Sequence, residues 1–84
     1  MLFTIILDYR GGTYIRQVRG RSPKKALLQS IQDFEVISST TKTQIASEIA
    51  NENIVEVAGT RGVWCTSVTL RGKLGLFHIV ATAS

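Results

Sequence analysis

The sequence predicts an α+β two-layer sandwich in the order β-β-α-α-β-β-β, a mainly antiparallel five-stranded sheet with two helices on one face. Three observations predict it. Apolar residues recur at every second position towards both ends of the chain. They recur at helical spacing in the middle. Glycines interrupt the alternating runs where a hairpin needs a tight turn, and hairpins pair their strands antiparallel.

Phe3, Ile5, Leu7 and Tyr9 share one face of the first strand, with Thr4 and Asp8 on the other. Gly11-Gly12 tolerates the positive φ angles of a two-residue turn, so Thr13 to Val18 returns as the second strand. That loop sets Tyr9 opposite Tyr14 as a cross-strand aromatic pair, and Ile5 opposite Val18. Ser22-Pro23 starts a helix: the hydroxyl accepts an orphan amide, and proline at the first helical position has no donor to lose. Leu27, Leu28, Ile31 and Phe34 then form one stripe, giving a helix over 23–34.

Residues 35–38 either finish that helix or form a short extended link, and the Ser/Thr cluster at 38–41 marks a break. Thr41 with Gln44 three residues later reads as a capping box. Ile45, Ala46, Ile49 and Ala50 supply the stripe of a second helix over 42–51. Ile54 to Val57 is a short strand, and Val63 to Leu70 a longer one after a turn at 59–62. A Gly72-Lys73 loop then returns the chain as Leu74 to Thr82. It places Val68 opposite Phe77, Thr66 opposite Ile79, Trp64 opposite Ala81 and Ser67 opposite His78.

With 84 residues there is material for one domain, 1–84. Hydrophobic residues at 44% and charged residues at 19% exclude a disordered chain. A lone cysteine, Cys65, excludes an internal disulfide, and no Cys/His cluster exists to hold a metal; no cofactor is expected. Leu2 to Leu7 lacks a basic leader and stops at Asp8, while the apolar run from Leu74 to Ala83 is too short to span a membrane and is interrupted by His78. The expectation is a soluble, cytoplasmic protein with no membrane partner.

The net charge of +4 is unevenly placed. Residues 9–32 hold Arg10, Arg16, Arg19, Arg21, Lys24 and Lys25 without an acid, whereas 33–56 hold Asp33, Glu35, Glu48, Glu52 and Glu56 against Lys42. Arg19, Arg21, Lys24 and Lys25 gather where the second strand enters the first helix, so side-chain cations and free helical amides make a candidate contact for an anion or nucleic acid. The alternative is a solvated basic face, since Pro23 removes one donor and no glycine-rich phosphate cradle exists.

Catalytic candidates are thin. Ser67 opposite His78, with Cys65 on the same side, is the sole nucleophile–base arrangement. It lies mid-strand, with no nucleophile elbow and no acid placed beside His78. No catalytic residue is assigned and no enzyme is expected. Strand parity also sends Leu2, Ile6, Ile15, Val63, Leu76 and Val80 to the face opposite the core, which is either an ordinary mixed surface or an apolar set that invites a second copy or another protein.

The stretch from Tyr9 to Tyr14, its following strand and Ser22 to Leu28 resembles the opening hairpin and helix of HicB-type antitoxin domains. The proline- and glycine-containing segment usual before that family's helix is missing here, and no site residue is carried over. The function expected is a non-enzymatic binding or interaction module that self-associates as a homodimer. The alternative is nucleic-acid or anionic-ligand binding through Arg19, Arg21, Lys24 and Lys25.

Overall fold

A computed structural model describes residues 1–51 and 54–83. Strands β1 (Leu2–Tyr9), β2 (Gly12–Arg19), β3 (Val55–Glu56), β4 (Val63–Leu70) and β5 (Lys73–Thr82) form one antiparallel sheet in the order β2-β1-β5-β4-β3. Helices α1 (Pro23–Ser30) and α2 (Ser39–Asn51) both lie on one face, α1 against β2, β1 and β5, and α2 against β4. The expected α+β order stands. At the centre of the sheet β1 meets β5, so strands from the two ends of the described chain are neighbours.

Both hairpins turn one residue earlier than expected. Arg10-Gly11 and Arg71-Gly72 carry the turns, with φ of 51° and 78° in the first and 53° and 78° in the second. Positive φ at both central residues is the type I′ geometry, whose twist matches that of the flanking strands and which prefers glycine in second place. Gly12 instead lies beneath the Tyr14 ring: a Cβ there would stand 2.8 Å from the Tyr14 hydroxyl. The partners are therefore Tyr9 with Gly12, Leu7 with Tyr14 and Phe3 with Val18 in the first hairpin. In the second they are Val68 with Gly75, Thr66 with Phe77 and Trp64 with Ile79.

Each register has moved by two residues. A two-residue slip leaves every side chain on its face, because strand periodicity is two. The expected faces are therefore kept while the expected partners are not. Tyr9 and Tyr14 do not oppose one another, and Ser67 faces Leu76 rather than His78.

The helices are bounded by serines. Ser22 Oγ accepts the Lys25 amide at 3.2 Å and Pro23 opens the first turn of α1, as expected. This helix ends at Ser30 rather than Phe34. A 3₁₀ turn over Ile31–Asp33 follows, and Phe34 is extended (φ −87°, ψ 100°), which delivers its ring edge-on to Phe77 at 6.0 Å. In α2 the cap is Ser38 and not Thr41. Its Oγ accepts the Thr41 amide at 3.4 Å and donates to Thr41 Oγ1 at 2.8 Å, while its carbonyl accepts from the Lys42 amide at 2.8 Å. Thr41 is consequently within the first turn of the helix and buried with Ile45 and Ile49, whereas Ala50 is exposed. β3 is shorter than the expected 54–57.

The core lies between the helices and one sheet face. Phe3, Ile5, Leu7, Val68, Leu70, Phe77 and Ile79 from the strands meet Leu27, Ile31, Ile45 and Ile49, all buried. Each such side chain contributes about 1.5–3 kcal/mol by leaving water. Trp64 seals one flank, edge-on to Phe3 at 6.1 Å.

Candidate functional site

The face turned away from the helices is built by the residues that alternate with the core. The observed registers line up Ile15, Ile6, His78, Cys65 and Val55 as one row across all five strands. Next to it run Gln17, Thr4, Val80 and Val63, and on the other side Thr13, Asp8, Leu76 and Ser67. Leu74 extends the apolar area beyond Leu76 on β5. No described helix covers this face, and Ile15, Val55 and Leu74 are 53%, 63% and 69% exposed. Val55 and Leu74 escaped the sequence reading, though strand parity alone would have placed both.

Two formally charged side chains stand on the strands of this face. Arg19 ends β2 beside Leu2, and Asp8 lies near the far end of β1, where its carboxylate accepts from Thr13 Oγ1 at 2.8 Å. A shallow hollow of about 380 Å³ opens there, lined by Asp8, Arg10, Gly12, Thr13, Leu74 and Leu76 among others.

The four expected anion-binding cations differ in their surroundings. Arg19 points to the helix-free face, since its neighbour Val18 is buried in the core. Lys24 Nζ donates to the Ala50 carbonyl at 2.7 Å, capping the far end of α2. Arg21 and Lys25 are exposed, and the Lys25 amide is already used by Ser22. Arg16 is held over the Phe34 ring at 5.7 Å, with its Nε donating to the Asp33 carbonyl at 3.2 Å. Lys42 serves as a cap as well, donating to the Gln32 carbonyl at 2.8 Å. Glu52, one of the expected acids, lies outside the described residues.

Among the described residues no group of His, Cys, Asp and Glu is arranged to hold a metal ion. His78 has Ile6 and Cys65 as its direct cross-strand neighbours, and Asp8 stands diagonally from it, opposite Leu76. These groups lie on an open sheet face. Neither Cys65 nor His78 lines either hollow described here; the second, of about 170 Å³, sits between the sheet end at Tyr9, Leu70 and Arg71 and the segment from Glu35 to Ser38. Nucleophilic catalysis needs a base held on its nucleophile and donors for the oxyanion. The described hydrogen bonds provide neither.

No family model, curated protein or solved structure matches this chain. The likeness to the HicB-type hairpin and helix thus stands without a family match, and the surface has to be read from its own chemistry. No described helix is long and apolar enough to cross a membrane.

That chemistry favours the face over the edges. β2 is an eight-residue edge strand, but it carries Arg16 and Arg19, follows Arg10, and has its Ile15 carbonyl occupied by Arg16 Nη1 at 2.8 Å. Such charges discourage pairing with a second, equally basic edge. The opposite edge, β3, is two residues long.

Proposed function

We propose that this chain is a non-enzymatic interaction module of the cytoplasm that self-associates through the helix-free face of its sheet. The observation that supports the reading is the row Ile15–Ile6–His78–Cys65–Val55, which no described helix covers, with Ile15 and Val55 exposed and Ile6, His78 and Cys65 half-buried, flanked by the half-buried Val80, Val63 and Leu76. Strands spaced about 4.8 Å apart and rising about 3.3 Å per residue give such a face roughly 600 Å². Specific complexes bury about 600–1,000 Å² per partner, so a face of this size is sufficient for a modest homodimer.

Sedimentation equilibrium from low micromolar to submillimolar concentration tests the reading. The wild-type chain dimerises and Ile6→Arg, which places a charge at the centre of the face, stays monomeric with its circular dichroism unchanged. A wild-type chain that is monomeric throughout sinks the proposal.

Exposed Arg21 and Lys25 at the start of α1 favour a second reading, contact with nucleic acid or another polyanion. It predicts binding of short DNA or RNA that weakens steeply with salt and is lost in Arg21→Glu/Lys25→Glu.

A further inference from the structure

We infer that the two copies meet face to face about a two-fold axis running across the strands, so that Arg19 of each copy reaches Asp8 of the other; this rests on the self-association proposed above. The charges decide the orientation. Arg19 and Asp8 are the formally charged side chains on the strands of the helix-free face, and they stand at opposite ends of neighbouring strands. At a rise of about 3.3 Å per residue they are about 20 Å apart, too far to pair within one chain. Among the described residues neither has an opposite charge as partner, and Asp8 keeps a hydrogen bond from Thr13 alone.

A two-fold axis parallel to the strands keeps the height of every residue and reverses the strand order. It lays Asp8 of β1 over the uncharged Ser67 end of β4 and leaves Arg19 facing no charge. An axis across the strands does the reverse: β1 lies over β1 and β2 over β2, with the ends exchanged. Arg19 then comes to the Thr13–Asp8 end of the second copy, beside the hollow that Asp8, Arg10, Leu74 and Leu76 line. The contact is made twice, once in each direction, as an isologous interface requires. Around the axis, Val80 and Val63 of one copy come near the His78 and Cys65 row of the other.

Two single charge reversals test this, with no need of a doubly altered chain. In an Arg19→Asp homodimer each contact sets two carboxylates together, and in an Asp8→Arg homodimer each sets two guanidinium groups together. Dimerisation of each alone should weaken by about 10-fold or more, because like charges face one another at both ends. Mixed in equal amounts, the two variants form a heterodimer in which both contacts are complementary, so native mass spectrometry should show it in large excess over either homodimer. Thermal melting of each variant confirms that it is folded, which matters for Asp8 because it accepts from Thr13.

A wild-type dimer that Ile6→Arg disrupts, with the two reversals mixing at random, overturns this orientation and leaves self-association standing. A monomeric wild-type chain overturns both.

Discussion

The Tyr9 hydroxyl donates a 3.0 Å hydrogen bond to the Leu70 carbonyl, joining the tips of two hairpins across 61 residues of chain. The contact closes one end of the sheet over Gly75, where a Cβ would stand 2.8 Å from Leu70 Cδ1. Both groups are buried, so the hydroxyl has no water to turn to.

Tyr9→Phe should therefore cost about 1 kcal/mol of stability, the usual net worth of one hydrogen bond. Tyr9→Ala should cost about 3–5 kcal/mol, since it also opens a cavity. Urea unfolding checks both values, with the m-value expected to be unchanged in the phenylalanine variant.

The paired turns make a prediction of opposite sign. Arg10 and Arg71 hold positive φ, which asparagine tolerates better than arginine. Arg10→Asn and Arg71→Asn should each stabilise the chain by about 0.5–1 kcal/mol, and Gly11→Ala and Gly72→Ala should each destabilise it by about 1–2 kcal/mol. Thermal melts of the two asparagine variants separate a turn at Arg-Gly from one placed a residue later, in which neither arginine would hold positive φ and neither change would stabilise.

Ser38→Ala removes the acceptor at the start of α2 and should cost about 1 kcal/mol. Amide exchange in the first turn of that helix should speed up in the variant. Gln44→Ala, at an exposed position, should change stability by less than about 0.5 kcal/mol.

Lys24 and Lys25 should differ although they are adjacent. Lys24→Met loses the cation at the carbonyl end of α2 and should cost about 0.3–1 kcal/mol at low salt, with the loss fading as salt rises. Lys25→Met should leave the melting temperature within error of wild type. Equal effects from the two would mean that Lys24 does not act as a cap.

Much of the architecture was legible because it is written in local periods. Alternation at Phe3 to Tyr9 and at Val63 to Thr82, and helical spacing at Leu27, Ile31, Ile45 and Ile49, identified the elements and their buried sides. The second apolar face was legible for the same reason, since the residues between the core positions of a strand have one other side to take. Helix ends were less so. Ser38 and Thr41 are both good caps on paper; Ser38 takes the role, and Thr41 is buried within the helix it starts.

By itself, the sequence determined the order of elements and the face on which nearly every strand residue lies, because a slip of two residues leaves parity untouched. The tertiary structure alone decided which residues stand opposite one another. Turn geometry moved both registers so that Cys65 met His78, and the pairing of β1 with β5 brought Ile6 to its other side. It also decided where the cations go. Lys24 found a helix end and Arg16 an aromatic ring through contacts distant in sequence, whose partners no local pattern specifies.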